Sequence, residues 1–162
     1  GIVVGGVGTD GNAYLLEDLT VTAGPATWGR VAVSAYERHQ ANLIVGESNY
    51  GGEMVRFVIR TAGPSTPFKM VHSSRGKFLR AEPFSALYEN GKVRHVGPFP
   101  ELEDELADFA THGHTGSKSP NRADAWIFVL AELFPGVVKQ QKETMLKPKL
   151  KVGAVEGAGW MQ

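Results

Sequence analysis

Leu43-Ile44-Val45-Gly46-Glu47-Ser48-Asn49-Tyr50-Gly51-Gly52 is the stretch on which the reading of this chain turns. Leu43-Ile44-Val45 is short and wholly apolar, as expected of a strand buried on both faces, and it stops at a Gly-rich turn. Glu47 follows directly, where open α/β sheets place their ligand crevices. A carboxylate ending a buried strand is costly unless solvent, a cation or hydrogen-bond donors meet it. Gly46, Gly51 and Gly52 around it allow another backbone or a substrate to come close. Read alone, Glu47 has two ordinary alternatives: capping the helix that starts near Gly52, or facing water.

Outward from this strand, the elements alternate. Upstream, Ile2 to Val7 and Ala13 to Val21 are strand-like runs separated by Gly8-Thr9-Asp10-Gly11-Asn12, whose Asp-Gly pair signals a tight turn and therefore a hairpin. Gly24-Pro25 breaks the chain. Trp28, Val31, Ala32, Ala35 and Tyr36 then recur at helical spacing to about Gln40, with Thr27 as the expected N-cap. Downstream, a helix is expected over Met54 to Arg60 and a strand over Phe68 to His72. A basic helix from Lys77 to Glu89 is closed by Asn90-Gly91, and a strand follows over Val93 to Val96. Next come an acidic helix, Glu101 to Phe109, and a Gly, Ser and His loop from Thr111 to Ser119. Ser119-Pro120 opens a last helix running through Asp124-Ala-Trp-Ile-Phe-Val-Leu-Ala-Glu-Leu-Phe134, apolar nearly all round and hence buried. The alternation predicts an α/β fold with a mixed sheet and helices on both faces. One domain is expected over 1–138, and the Lys-rich remainder, 139–162, reads as a tail or linker.

Composition agrees with one folded domain. The chain has 162 residues, 42% of them hydrophobic and 21% charged, far from the signature of disorder. It contains no cysteine, which excludes thiolate metal sites, cysteine nucleophiles and disulfides, and fits a reducing cytoplasm. No apolar run approaches the ~20 residues that span a bilayer, and no membrane association is expected. Ile2-Val3-Val4 starts a strand with no preceding turn, cap or initiator Met, so the chain reads as a piece of something longer. Lys plus Arg and Asp plus Glu are 17 each, yet they are segregated. Six basic residues against two acidic ones lie between Lys69 and Arg94, and Glu101, Glu103, Asp104, Glu105 and Asp108 crowd together after them. Such a basic segment can contact phosphates in a neutral protein, because the local field counts; it can equally be a solvated face.

Asp124 is the second carboxylate of interest. It lies in the first turns of the buried helix, where on its own it serves the helix dipole at ~0.3–1 kcal/mol. Paired with Glu47, it supplies the hard oxygen ligands that Mg²⁺ or Mn²⁺ takes. Two such ions ~3.5–4 Å apart hydrolyse phosphodiesters, normally on three or four carboxylates. Other patterns are decoys. Gly6-Val7-Gly8-Thr9-Asp10-Gly11 fits a dinucleotide-binding pattern, but strand rather than helix follows, so no helix N-terminus awaits a pyrophosphate. His112-Gly113-His114 lacks a third metal ligand at a recognisable spacing. His39, His72 and His95 read as structural, and Ser48 has no identifiable base partner.

Four segments, in this order and spacing, resemble the C-terminal nuclease domain of the large terminase subunits of tailed phages. They are Ile44 to Gly52, Ser74-Arg75-Gly76-Lys77-Phe78-Leu79-Arg80-Ala81-Glu82-Pro83, Leu87 to Gly97, and Ser119-Pro120-Asn121-Arg122-Ala123-Asp124-Ala125-Trp126. The likeness covers about residues 1 to 135. It implies a ribonuclease H-like fold that cuts concatemeric double-stranded DNA during packaging, with Mg²⁺ or Mn²⁺ in a two-metal site, in a bacterial host cytoplasm and encoded by a phage or prophage. It implies that Glu47 and Asp124 are metal ligands and so the catalytic pair, and that Arg75, Lys77 and Arg80 contact DNA phosphates. An ATPase motor domain, a small terminase subunit and a portal are the implied partners. No phosphate-binding Gly-x-x-x-x-Gly-Lys-Ser/Thr motif occurs, so the motor lies elsewhere. The family's first metal ligand is an Asp on a central strand expected before Gly1; neither Asp10, at the hairpin tip, nor Asp18 replaces it, and Asn121 stands where some relatives carry a carboxylate. The chain alone is therefore expected to bind metal weakly and cut poorly. The alternative is a non-catalytic DNA- or protein-binding module on a degenerate version of the fold.

Overall fold

A computed structural model describes residues 1–48, 51–72, 77–112 and 119–137, with backbone alone at 77–79 and 109–112. Strands β1 (Val3–Val7) and β2 (Ala13–Asp18) form the expected antiparallel hairpin, with Val7 opposite Ala13 and a bulge between Val4 and Gly5. Gly11 takes φ 75° in its turn, which glycine adopts without strain. The Asp10 carboxylate ties the turn by accepting from the Asn12 backbone N–H (3.1 Å) and the Tyr14 hydroxyl (2.8 Å). The dinucleotide-like glycines thus belong to a hairpin. Strand β5 (Val93–His95) adds in parallel on the other side of β2, giving a three-stranded mixed sheet in the order β1-β2-β5.

Helix α1 (Pro25–Arg38) starts two residues earlier than its expected Thr27 cap, because Pro25 already has the φ of a first helical position and Gly24 precedes it. Strands β3 (Ile44–Glu47) and β4 (Phe68–Val71) form a separate parallel pair, joined by α2 (Gly52–Ala62). Thus the described strands make two sheets that share no hydrogen-bonded strand pair, where one mixed sheet was expected. Helix α1 packs on α2, and Gly29 makes that approach possible: a Cβ there would stand 2.6 Å from Val58 Cγ1.

Helix α3 (Lys77–Glu89) has the expected bounds and ends at Gly91, φ 63°, with Lys92 N donating to Leu87 O. Helix α4 (Pro100–His112) outruns the expected Phe109 by three residues and takes in Thr111 and His112 of the expected loop. Gly113, His114 and the 139–162 tail lie outside the described residues. Helix α5 (Asn121–Leu133) carries the centre of the core. Trp126, Ile127 and Leu130 pack with Ala13, Leu15, Val93, Phe84 and Leu102, all buried. Gly5 lets β1 lie against this helix, since a Cβ on it would stand 2.3 Å from Trp126 Cζ3. No helix among the described residues is long and apolar enough to cross a membrane.

Candidate metal centre

Glu47 is the last residue of β3, which runs two residues past the apolar run Leu43 to Val45. Its strand can sit close to β4 because residue 46 is glycine; a Cβ there would meet the Phe68 ring at 2.7 Å. Gly51, at φ 78°, then turns the chain into α2. The Glu47 side chain remains 35% exposed. Asp124 is different: on the first turn of α5, two residues before the wholly buried Trp126, its side chain is 7% exposed.

The two carboxylates meet on one cation. Arg80, from α3, places Nη1 2.7 Å from Asp124 Oδ1 and 3.7 Å from Glu47 Oε1. The two oxygens cannot be further apart than those two contacts laid end to end, a spacing that a pair of ions ~3.5–4 Å apart can bridge. Arg80 is itself only 11% exposed, and its guanidinium carbon stands 4.4 Å from the centroid of the Phe128 ring, a cation–π contact contributed by the next turn of α5. A buried Asp124 needs such a partner, because an ionised carboxylate taken out of water without one costs several kcal/mol.

The start of α5 is held by residues far away in sequence. The N-cap position falls on Pro120 rather than on the expected Ser119, and Pro120 offers no side-chain acceptor. Glu105 of α4 takes over, its Oε2 accepting from the backbone N–H groups of Arg122 (2.7 Å) and Ala123 (2.9 Å). Arg122 in turn donates from Nε to Asp18 Oδ2 at 2.9 Å. Asp18 is therefore engaged at the base of α5, and Asp10 in the hairpin turn.

The other candidates separate as follows. Lys77 opens α3, and Arg75 lies outside the described residues. His39 pairs with Glu17, and His72 Nδ1 is 3.4 Å from Ser48 Oγ. His95 sits in a chain of hydrogen bonds. Trp126 Nε1 donates to Tyr88 Oη (2.7 Å), Tyr88 Oη lies 3.0 Å from His95 Nε2, and His95 Nδ1 lies 2.8 Å from Glu103 Oε1. Burial pushes the Tyr88 phenol up to about 12, so it keeps its proton; the His95 tautomer protonated at Nδ1 would accept that hydroxyl at Nε2 and donate to Glu103. Sequence reasoning missed three things: Arg80 as the shared partner, Glu105 as the cap, and Phe128 as the ring beneath the guanidinium. No local pattern signals them, because each partner comes from a different helix.

Glu47 and Asp124 offer the hard oxygens that a divalent cation takes, and the guanidinium between them marks a place where positive charge is already favourable. The pair supplies only part of the oxygen shell that such an ion takes. Among the described residues, no group of three or more His, Cys, Asp or Glu side chains is placed to hold a metal.

A family model for the terminase RNaseH-like domain matches residues 1–132. No curated protein and no solved structure matches the chain.

Proposed function

The chain belongs to the terminase RNaseH-like domain family, and on that footing we propose that it is the metal-dependent DNA endonuclease domain of a phage DNA-packaging terminase. Its substrate is double-stranded, concatemeric DNA. The observation that carries the reading is the meeting of Glu47 and Asp124 on the single Arg80 cation. In the reaction, a water oxygen bonds to phosphorus as one ester P–O bond breaks; the leaving oxygen takes a proton, so a phosphate monoester and a free hydroxyl result. Mg²⁺ or Mn²⁺, when bound, polarises the phosphoryl oxygen and makes water a better nucleophile. Glu47 and Asp124 hold that ion. Glu47 is the more open of the two, whereas Asp124 is fixed within the helix packing. A second ion needs carboxylates beyond this pair.

Arg75, Lys77 and Arg80 are proposed to contact the phosphates of the bound strand. For Arg80 that use requires it to leave the carboxylates. The ATPase motor, small subunit and portal of a packaging machine are the proposed partners, and the host cytoplasm the proposed location. A second reading is favoured by the scarcity of ligands among the described residues: a non-catalytic DNA- or protein-binding module. Incubation with supercoiled plasmid and Mn²⁺ separates the two. Slow nicking that Glu47→Ala and Asp124→Ala each stop is the expected result. Nicking that survives both substitutions sinks the nuclease reading, and DNA bound without cleavage, equally by all three proteins, favours the module.

A further inference from the structure

Arg80 stands against both carboxylates that are proposed to hold the metal ion. Its Nη1 is within hydrogen-bonding distance of Asp124 Oδ1 and within ion-pair distance of Glu47 Oε1. Mg²⁺ bonds to oxygen at ~2.0–2.1 Å and demands near-octahedral directions, so a guanidinium and a metal cannot both use the inward face of the same carboxylate oxygen.

We propose that Arg80 is a resident counter-ion of the Glu47–Asp124 pair that a divalent cation must displace in order to bind. This rests on the metal-site reading above and deepens it. The Phe128 face gives the guanidinium a second hold at 4.4 Å, so Arg80 is not committed to the carboxylates alone. In the metal-free domain it offsets the burial of Asp124, which is 7% exposed, and keeps α3 against α5. The cost is metal affinity: each cation weakens the other's hold, because mutually exclusive ligands are coupled reciprocally.

The test uses the full 162-residue chain and Mn²⁺ alone, with free Mn²⁺ counted by its paramagnetic resonance signal. Arg80→Met is expected to bind Mn²⁺ roughly tenfold more tightly than the unsubstituted chain, the size of an ordinary coupling between sites, and Glu47→Gln is expected to abolish binding. An unchanged affinity in Arg80→Met, with binding still lost in Glu47→Gln, overturns the counter-ion role and leaves the metal site standing. Binding that Glu47→Gln does not alter overturns the site itself, and the inference with it. Should Arg80→Met fail to fold, the unsubstituted protein decides: the Arg80 guanidinium ¹⁵N–¹H signals must shift or broaden on titration with Mg²⁺. Signals that stay fixed at saturating Mg²⁺ overturn the proposal.

Discussion

Glu105 caps a helix that is not its own: its Oε2 accepts the backbone N–H of Arg122 at 2.7 Å, across from α4 to the first turn of α5. The helix carrying Asp124 thereby has its orphan donors met by a residue seventeen positions earlier in the chain. Removing a cap of this kind costs ~1 kcal/mol, up to about 2 where it is well placed. Glu105→Ala is expected to lower the free energy of unfolding by that amount in urea titration, and Glu105→Gln, which keeps an acceptor, by less. Equal stability of Glu105→Ala and the unsubstituted chain would show that water caps the helix as well.

Gly5 and Gly6 provide a matched pair of tests for the seating of α5 on the hairpin. A Cβ on Gly5 would stand 2.3 Å from Trp126 Cζ3, whereas one on Gly6 meets nothing within 4 Å. Gly5→Ala is expected to destabilise by ~1–3 kcal/mol, the usual range for an overpacked core. Gly6→Ala should leave the thermal midpoint nearly unchanged. Indistinguishable midpoints for the two variants would refute the packing described.

Tyr88→Phe should cost ~1–3 kcal/mol, because the indole N–H of the fully buried Trp126 then has lost its acceptor. The same substitution deprives His95 Nε2 of its donor. In ¹⁵N spectra, neutral His95 of the unsubstituted protein is expected as the tautomer protonated at Nδ1. Finding the proton on Nε2 instead would overturn the order of donors in this chain.

Acid should weaken the fold through two surface glutamates. Hydrogen bonds from Arg38, then His39, hold the Glu17 carboxyl below its usual 4.5, and a hydrogen bond from His95 does the same for Glu103. A carboxyl whose value is lowered by folding contributes stability that is present above about 4.5 and is lost as the pH falls through the lowered value. Both groups are well exposed, so solvent screens the effect. Denaturant titrations between pH 5 and 3 are expected to show stability falling with pH, and Glu17→Gln combined with Glu103→Gln should flatten that slope. A slope unaffected by the double substitution would place the acid sensitivity elsewhere.

Much of the fold was legible in residues a few positions apart. Asp10-Gly11 between two β-rich runs specified the hairpin, and Asn90-Gly91 specified the end of α3. Helix starts were less legible. Thr27 and Ser119 both look like caps, yet the cap positions fall on Gly24 and Pro120, three residues earlier and one residue later. The division of the strands into two sheets was not legible either, since strand patterning records burial rather than the choice of neighbour.

By itself, the sequence determined that Glu47 would end a short apolar strand, which the fold leaves half-buried rather than buried, and that Asp124 would lie in the opening turns of an apolar helix, because strand and helix periodicity act over a few residues. Only the tertiary structure decided that these two carboxylates share Arg80, which stands 44 positions from Asp124 along the chain. Ion pairing depends on which face each helix turns to its neighbours and on how deeply packing excludes water there, and neither quantity is encoded in any local run of residues.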